Sequence, residues 1–372
     1  MTKPIHVLHV LGGVGLGGAE SRIMDLYRQM DRNEIQFDFL VHAADANVRK
    51  PEFYDEEIQA LGGHIYVLPK FKVYNYFSYR RAVRDFFAAH REFRVVQGHM
   101  TSTAGIYLPI AKKSGVPVTV AHARNAGVVK GPKGLATKFF RRRLAEKADR
   151  CFACSKLAGE DVFGKAAMEA GAVKIIHNAI NVSRFTYDEK VREEVRAQLG
   201  LSDNLVLGHV GRFEYQKNHP YLLDVFAAVC KERSDAALLL LGDGVDRPAM
   251  EERCKKLGIA DKVRFLGNRK DAERYYQAMD IFLLPSFFEG LPGVLVEAQA
   301  AGLKCIVSDS VTREAQATDL VTYLSIEDMP EVWAQEIRKQ ADYVRRDTSG
   351  ELRAEGFDVR SQAESYRRFY LS

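Results

Sequence analysis

The sequence lacks a long apolar run, and its first residues do not predict a secretory leader; each observation argues against a class of protein. No window reaches the about 18 consecutive apolar residues that a membrane span needs, so a transmembrane enzyme is excluded. The apolar stretch at residues 5–11 is too short for a signal peptide and has no small-residue cleavage site. We therefore expect a cytoplasmic protein.

Cysteine is scarce, with five residues scattered over 372 positions. An odd number without a leader argues against a disulfide framework, so reduced thiols are expected. Cys151 and Cys154 form a C-x-x-C, but in a strand-like run their side chains point to opposite faces. Because no second cysteine pair or nearby histidine completes a zinc set, no metal site is predicted.

The sequence also has no large excess of either charge, since it contains 54 basic and 49 acidic residues and its net charge is +5. This balance, without a recognised binding module, does not predict nucleic acid as a partner. The segment 133–150 is an exception, because seven basic and two acidic residues are interleaved with leucines and phenylalanines. The pattern predicts a basic amphipathic helix.

Two interpretations of this helix stay open. One is a solvated helix with its apolar stripe in the core. The other is attachment to anionic lipid headgroups, which attract nearby basic residues by about 1 kcal/mol each. The segment 71–87 suits the same headgroup region, because it interleaves aromatic residues with Arg80, Arg81 and Arg84. Peripheral binding to the inner face of the plasma membrane is therefore a second hypothesis for localisation.

Short β-branched runs alternate with longer helical patterns, which is typical of an α/β protein with parallel sheets and right-handed crossovers. In the first half, seven strands are predicted at 5–11, 35–41, 64–68, 94–97, 116–121, 150–153 and 174–176. The alternation then restarts, with six strands at 205–210, 236–241, 262–266, 280–284, 304–307 and 321–324. Two doubly wound domains follow. The polar, charge-rich stretch 178–201 is the predicted linker, with the boundary near residue 185.

In the first half, the first strand leads into the glycine-rich turn 12–18 and then a helix, the place where an open α/β domain binds its ligand. Glycine lets the backbone approach a ligand, and N–H groups at a helix start favour an anion. The turn contains a G-x-G-x-x-G, so a nicotinamide oxidoreductase is an alternative. It is the weaker one, because Asp38 lies inside the second strand and Asp45 lies beyond the required spacing.

The second half places polar residues after three successive strands. The run 211–218 follows its first strand and carries Arg212 and Lys217, two cations suited to a phosphate. Gly244 follows the second strand, where it marks a turn or a close approach to a ligand. Asn268 follows the third strand, at a height where a nucleobase edge could meet backbone groups.

The run 285–298 is the most specific feature. A helix is predicted to start near Pro292, because proline suits the first turn. Glu289 then lies in the loop ahead of the helix, and Glu297 lies inside it, within an apolar run that predicts burial. The N–H groups at the start of this helix suit a phosphate. The two carboxylates suit hydroxyl groups on either side of that phosphate.

Five motifs follow one another along the chain: Gly17-Gly18-Ala19-Glu20, Asn178-Ala179-Ile180-Asn181, the G-R-x4-K of Gly211, Arg212 and Lys217, Met279-Asp280-Ile281-Phe282, and Glu289-x7-Glu297 in the frame Phe-Glu-Gly-Leu-Pro. Together they resemble the large family 4 of retaining glycosyltransferases over nearly the whole chain. That family has the GT-B fold, in which two Rossmann-like domains face a central cleft and a last helix crosses back to the first domain. The resemblance implies an acceptor-binding domain at 1–185, a donor-binding domain at 186–356 and the crossing helix at 357–372.

The resemblance also implies roles for individual residues. Glu289 would contact the donor sugar, Glu297 the nucleotide ribose, and Arg212 and Lys217 the diphosphate. The full set of implied donor-binding residues is Gly17, Gly18, Gly211, Arg212, Lys217, Gly244, Asn268, Glu289, Gly290, Leu291, Pro292 and Glu297.

His122 matches the position where the family has a histidine near the transferred sugar, which makes it, with Glu289, Arg212 and Lys217, a candidate catalytic residue. A buried core histidine is the alternative interpretation of His122. His99 is a second candidate at the preceding strand end. Arg124 and Asn125 replace the more familiar His-Asn pair of the family.

The implied reaction moves a sugar from a nucleotide diphosphate to an acceptor hydroxyl with retention of configuration. Because the sequence has no Asp-x-Asp for a metal, cations and helix N-termini are expected to stabilise the departing phosphate without metal or cofactor. Similarity to exopolysaccharide-type enzymes at 17–21 and 36–40 favours UDP and a lipid-linked acceptor. A GT-B sugar-nucleotide epimerase and a catalytically idle binding subunit are the remaining alternatives.

Overall fold

The computed structural model describes residues 3–45, 48–124 and 132–372, with side chains from residue 134 onward in the last range. The chain forms two compact units, each built on a parallel β-sheet. The first unit comprises Met1–Ala179 and Val359–Ser372, and the second comprises Ile180–Asp358. The units therefore meet in sequence at residues 179 and 180, six residues before the predicted boundary between 185 and 186.

The sheet of the first unit has seven strands in the order β3-β2-β1-β4-β5-β6-β7. The strands are β1 (Ile5–Val10), β2 (Ile35–Ala43), β3 (Ile65–Pro69), β4 (Phe93–Gly98), β5 (Val118–Ala123), β6 (Arg150–Ala153) and β7 (Val173–Ile175). The direction of winding reverses between β1 and β4. In doubly wound sheets, ligands bind at the carboxyl ends of the strands beside such a reversal.

In the described residues, the helices that connect these strands are α1 (Gly18–Gln29), α2 (Asp55–Ala60), α3 (Tyr76–Ala89), α4 (Thr101–Lys113), α5 (Pro132–Arg141), α6 (Leu144–Lys147), α7 (Lys156–Phe163) and α8 (Lys165–Glu169). A short 3-10 helix at Val73–Asn75 precedes α3. Tyr27 of α1 and Phe37 and Phe39 of β2 lie in the core of the unit. Burying an aromatic or aliphatic side chain contributes roughly 1.5–3 kcal/mol, so this apolar face holds α1 against the sheet.

The sheet of the second unit has six strands in the order β10-β9-β8-β11-β12-β13. They are β8 (Leu205–Val210), β9 (Ala236–Leu241), β10 (Val263–Gly267), β11 (Ile281–Leu284), β12 (Lys304–Ser308) and β13 (Val321–Leu324). Here the winding reverses between β8 and β11. The two sheets contain the thirteen predicted strands, with bounds that differ by at most two residues, so the predicted α/β fold class is confirmed.

Helices of the second unit are α9 (Val182–Phe185), α10 (Glu189–Leu199), α11 (His219–Glu232), α12 (Arg247–Lys256), α13 (Ala272–Ala278), α14 (Gly293–Ala300), α15 (Pro330–Gln340) and α16 (Ser349–Ala354). Short 3-10 helices lie at Tyr215–Lys217, Ala260–Lys262 and Arg313–Ala315. Strand β9 is fully buried, and its Leu238 and Leu240 share a core with Phe226 of α11 and Trp333 of α15.

The charge-rich stretch predicted as a linker is part of the second unit from residue 180 onward. Helix α10 is anchored to the start of β11, because Arg192 and Arg196 each place a guanidinium nitrogen 2.5 Å from a carboxylate oxygen of Asp280. Asp280 also accepts the backbone N–H of Val206 at 2.8 Å. Arg192 and Arg196, two of the charged residues that suggested a linker, are thus paired at the amino end of β11.

The last helix, α17 (Val359–Leu371), belongs to the first unit, although it follows the second in the chain. Ala363, Tyr366 and Tyr370 are buried in the core of the first unit, and Phe369 is partly buried there. Phe357, where the predicted crossing helix begins, instead lies in the second unit, where its carbonyl accepts the N–H of Ile180 at 2.9 Å.

The basic segment 133–150 differs from the single amphipathic helix that its pattern predicts. It forms two helices, α5 and α6, because Arg143 between them adopts a left-handed conformation with φ of 57°. Its apolar stripe is not all in the core, since Leu135 and Phe139 are exposed. In the part of the chain that the structure describes, no helix is both long and apolar enough to span a bilayer.

Candidate active site

Lys217 and Glu289 meet at the carboxyl edge of the second sheet. Lys217 ends the 3-10 turn after β8, and its Nζ lies 2.7 Å from Oε1 of Glu289. The Gln216 side-chain amide donates to Oε2 of Glu289 at 3.1 Å. The Glu289 residue is only 9% exposed, so both of its oxygens are held in a largely buried position. The structure therefore brings together two predicted site residues and adds a third, Gln216.

The loops that carry these residues are fastened to each other. The backbone N–H of Phe287 donates to the carbonyl of Gln216 at 2.9 Å, and the Gln216 side chain donates to the carbonyl of Phe288 at 3.0 Å. The rings of Tyr215 and Phe287 stack with centroids 4.7 Å apart. Gln216 therefore positions the carboxylate, a role that its place between two predicted residues did not reveal.

Arg212 is not brought into this group. Its side chain is 68% exposed, and it pairs with Glu214 at 3.2 Å. An exposed ion pair of this kind is weak, typically below about 1 kcal/mol, so Arg212 is able to reorient. Its contact with a phosphate stays a prediction.

Close backbone packing at this edge leaves no space for a side chain at several glycines. A Cβ on Gly244 would overlap the backbone of Phe213, and one on Gly242 would overlap the carbonyl of Gly211. A Cβ on Gly211 would lie 2.9 Å from Nε2 of His209. The loops after β8 and β9 thus approach each other without side chains between them, which explains Gly244 independently of a ligand.

Helix α14 begins after Pro292, as predicted, and carries Glu297 in its second turn. Glu297 is 7% exposed, and the hydroxyl of Tyr276 donates to its Oε2 at 2.8 Å. Tyr276 is fully buried in α13 and was not predicted as a site residue. It lies outside the Met279–Phe282 motif, so the sequence gave no separate signal for it.

The other predicted donor-binding residues are placed as follows. Leu291 and Pro292 are buried and Gly290 is partly buried, whereas Asn268 is exposed after β10. Because the leucine side chain points into the protein, a ligand could meet this loop mainly through backbone groups.

In the first unit, the glycine-rich turn ends at Gly17, which precedes the first residue of α1, Gly18. A Cβ on Gly17 would collide with the carboxylate of Glu20, and a Cβ on Gly13 would lie 2.7 Å from a carboxylate oxygen of Glu52. The backbone N–H of Val14 donates to that same carboxylate. The turn thus already packs closely around carboxylates of its own unit.

Asp38, the residue considered for a nicotinamide ribose, has other partners. Its carboxylate oxygens lie 2.6 Å from Nδ1 of His6 and 3.0 Å from Nδ1 of His64. It also accepts the backbone N–H of His64 at 2.9 Å, and it is fully buried within β2. Asp38 is thus engaged with residues of its own unit, which argues against it as a ligand for a nicotinamide ribose.

His122 is fully buried in β5, and this burial agrees with the alternative interpretation of a core histidine. The Tyr370 hydroxyl donates to Oε1 of Gln97 at 2.6 Å, so the amide nitrogen of Gln97 faces Nδ1 of His122 at 3.0 Å. His122 Nδ1 is then the acceptor, and the ring proton sits on Nε2. Helix α17 therefore sets the tautomer of this imidazole, a contact that sequence reasoning missed.

His99 follows β4 and links two further residues. Nε of Arg124 donates to Nδ1 of His99 at 3.2 Å, and Nε2 of His99 lies 3.0 Å from Nδ1 of His9. Burial, and then the positive charge of Arg124, lower the pKa of His9 to about 3 and hold the pKa of His99 and His122 well below the usual value. The three imidazoles are therefore neutral at pH 7. Asn125, named with Arg124 in the sequence, lies outside the described residues.

Two family models match the chain, one in each unit. Residues 16–184 match Glycosyltransferase Family 4, and residues 204–342 match Glycosyl transferases group 1. The match in the second unit contains Lys217, Glu289 and Glu297.

Individual glycosyltransferases are also similar to this chain in sequence. The putative glycosyltransferase EpsF of Bacillus subtilis strain 168 is 38% identical over 341 residues, which cover 90% of this chain and 87% of that protein. A Campylobacter jejuni N-acetylgalactosamine-N,N'-diacetylbacillosaminyl-diphospho-undecaprenol 4-alpha-N-acetylgalactosaminyltransferase is 29% identical over 175 residues, 47% of this chain and 45% of that protein.

Among solved structures, Anabaena Alr3699/HepE in complex with UDP-glucose superposes with a TM-score of 0.71 at 18% identity, covering 97% of this chain and 99% of that one. This likeness concerns the fold, and it agrees with two units that each contain a doubly wound parallel sheet. From these matches and the two sheets, we conclude that the chain is a glycosyltransferase of family 4 with the GT-B fold.

Proposed function

We propose that the chain transfers a sugar from a UDP-sugar to a hydroxyl of a lipid-linked glycan, with retention of configuration, in polysaccharide biosynthesis. The observation that carries this proposal is the Lys217–Glu289 pair at the carboxyl edge of the second sheet. It places a cation for the leaving diphosphate beside a carboxylate for the sugar hydroxyls.

The chemistry assigns each group one task. The bond from the anomeric carbon to the diphosphate oxygen breaks while positive charge develops on the sugar ring. Lys217 and the N–H groups at the start of α14 stabilise the charge on the departing UDP. The acceptor oxygen attacks from the same face, and its proton passes to the departing phosphate. Glu289 orients the sugar and forms no covalent bond.

The ion pair is compatible with donor binding. Each carboxylate oxygen has two acceptor positions, so Glu289 can hold Lys217 and Gln216 and still accept a hydroxyl proton. Glu297, steadied by Tyr276, would accept from the ribose hydroxyls. His122, with its proton on Nε2, would donate to the transferred sugar after a local opening of the buried site.

The relatives support the choice of substrates. The HepE structure contains UDP-glucose, and the Campylobacter enzyme is named for a diphospho-undecaprenol acceptor. We propose the same classes of donor and acceptor here, with the first unit binding the acceptor and the second binding the donor.

The experiment that tests the function incubates the purified chain with UDP-sugars and GDP-sugars, with and without a polyprenyl-diphosphate-linked glycan. We expect release of UDP that depends on the acceptor, with the new linkage keeping the donor's anomeric configuration. Isomerisation of the sugar nucleotide without acceptor would favour the epimerase instead. Absence of turnover with both nucleotide classes would contradict the proposed donor.

We expect this transfer to continue in excess EDTA. The sequence offers no Asp-x-Asp for a metal, and Lys217 supplies positive charge at the proposed diphosphate site. Initial rates with and without EDTA should agree within about twofold, because charge stabilisation comes from preorganised protein donors. Full loss of activity that added Mg²⁺ or Mn²⁺ restores would contradict this assignment.

The first unit also presents a surface that suits an anionic membrane. Leu135 and Phe139 on α5 are 72% and 68% exposed, and Tyr74 and Phe77 near the start of α3 are 83% and 82% exposed. The two segments are joined by Phe140, whose ring centroid lies 5.2 Å from that of Phe71. We call this surface the aromatic patch.

Basic residues accompany the aromatic patch. Arg81 and Arg84 are exposed on α3, and Arg142 is exposed after α5. The segment 71–87 does not all face solvent, however, because Tyr79 and Phe87 are buried in the core. We propose that the aromatic patch enters the headgroup region while the arginines meet lipid phosphates at the cytoplasmic face of the membrane.

We expect the chain to bind vesicles with anionic lipid and to leave them as salt rises. Replacing Arg81 and Arg84 together by glutamine should weaken binding roughly 30-fold, since each basic residue contributes about 1 kcal/mol at the surface. Arg141 is unsuitable for this test, because it pairs with Asp161 at 3.0 Å and donates to Thr101. Cosedimentation across a salt series provides the measurement.

A second variant addresses the apolar contacts. Phe77→Ser with Phe139→Ser should also release the chain, whereas Val245→Ser with Val344→Ser, at exposed valines of the second unit, should leave binding unchanged. Binding that ignores lipid charge, salt and both variants of the first unit would refute membrane attachment and favour a soluble acceptor.

A further inference from the structure

Five polar side chains lie at and below the carboxyl ends of β1, β4 and β5. We call them the Arg124 cluster: His9, His99, His122, Arg124 and Asn178. Arg124 follows the end of β5 and is 6% exposed. The His99 ring lies 5.3 Å, centroid to centroid, from the rings of both His9 and His122, so the group is continuous.

Within the described parts of the chain, no carboxylate matches the charge of Arg124. Nη1 of Arg124 donates to Oδ1 of Asn178 at 2.8 Å, and its Nε donates to His99, so both of these partners are neutral. No acidic side chain of the described residues pairs with it. Arg196, which is buried to a similar extent, pairs with Asp280 at 2.5 Å. Removing a charge from water without a counter-charge is costly, so Arg124 favours an added anion.

The proton positions point to the same ligand class. Because Arg124 donates to Nδ1 of His99, the His99 proton sits on Nε2 and is donated to Nδ1 of His9. His9 then carries its own proton on Nε2. Among the described residues, neither this buried nitrogen nor the protonated Nε2 of His122 has a hydrogen-bond partner. The Nε2–H of His9 is thus a donor, as is that of His122, which the proposed function assigns to the transferred sugar. An anion can accept from such donors and a cation cannot.

We propose that the Arg124 cluster of the first unit binds a phosphate or diphosphate group of a substrate. This inference rests on the proposed function, in which both donor and acceptor carry a diphosphate. A guanidinium suits this group, because its planar fork donates two hydrogen bonds to phosphate oxygens. The diphosphate belongs either to the nucleotide or to the acceptor.

Calorimetric titration with inorganic diphosphate, in the absence and presence of saturating UDP, tests the site. We expect Arg124→Gln to weaken diphosphate binding about tenfold or more, the loss typical of a charge-assisted hydrogen bond. Arg94→Gln, at an exposed arginine of β4 that donates to the Ser372 carbonyl, is the matched control and should bind as the wild type does.

The UDP arms identify the source of the phosphate. If Arg124→Gln also weakens UDP binding, the cluster holds the nucleotide diphosphate. If UDP binding is unchanged and the loss persists with UDP bound, the cluster holds the acceptor diphosphate. Unchanged diphosphate affinity in Arg124→Gln under both conditions overturns the proposal. Because the titration needs no turnover, a failure of the proposed transfer reaction would leave this result distinct.

Folding of the variants is checked by circular dichroism and thermal unfolding. Arg124→Lys keeps the charge but loses the fork, so it should remain folded and bind diphosphate with a smaller loss than Arg124→Gln. If the lysine and glutamine variants both remain folded and bind diphosphate equally to the wild type, the charge of Arg124 has no role in anion binding.

Discussion

Replacing Lys217 by methionine is expected to lower kcat by about 10²- to 10³-fold, the usual effect of losing one preorganised donor to a developing anion. Methionine keeps much of the length of the side chain but removes the charge that would stabilise the departing diphosphate. Lys217 is 15% exposed and 2.7 Å from Glu289, so water does not easily replace it. Initial rates at saturating donor and acceptor give the measurement.

A matched control separates chemistry from stability. Lys231 forms an ion pair with Glu331 at 3.5 Å on the surface of the same unit, and Lys231→Met should leave kcat unchanged. Because Lys217→Met leaves the Glu289 carboxylate without its cation, the double variant with Glu289→Gln tests for misfolding caused by that charge. A kcat within a few-fold of the wild type in folded Lys217→Met would remove Lys217 from the reaction.

Glu297→Ala is expected to weaken nucleotide binding, whereas Glu289→Ala is expected to lower kcat. Loss of Glu297 removes an acceptor for the ribose, which every bound nucleotide presents, so the Kd for UDP should rise roughly 10- to 150-fold. Loss of Glu289 removes a contact to the reacting sugar, so kcat should fall while UDP binds nearly as before. Calorimetry with UDP and steady-state rates with the UDP-sugar separate these effects.

Tyr276→Phe offers a finer version of the same test. The hydroxyl of Tyr276 holds Oε2 of Glu297, so its removal should weaken UDP binding by less than the removal of the carboxylate. Glu331→Ala, at an exposed surface pair, is the control for loss of a glutamate. If Glu289→Ala and Glu297→Ala lose equal nucleotide affinity, the division between sugar and ribose is incorrect.

The strands were predictable because their signal is local. The fully buried run Ala236–Leu241 is apolar throughout, and such runs between helical patterns indicate a parallel sheet. The charged segment after residue 180 misled the same reasoning, because local composition does not show that Arg192 and Arg196 have a partner at Asp280. Pairing over that distance in sequence is a property of the folded chain.

Site residues that belong to a sequence motif could be predicted. Residues whose role depends on their contacts in the folded chain could not. Lys217 and Glu289 were expected from spacing, and the structure pairs them. Gln216 and Tyr276 position the two glutamates, yet their neighbours in sequence give no sign of it. The break at Arg143 was missed for a related reason, since a left-handed residue at that position is not encoded by an amphipathic pattern.

Helix α17 makes the imidazole of His122 depend on a segment far from it in sequence. The Tyr370 hydroxyl orients Gln97 and through it the imidazole of His122. Proteolytic cleavage within α17 before Tyr370 would leave most of the fold intact but would free this amide to rotate. Loss of specific activity in aged preparations should therefore be examined first by mass spectrometry for cleavage within α17.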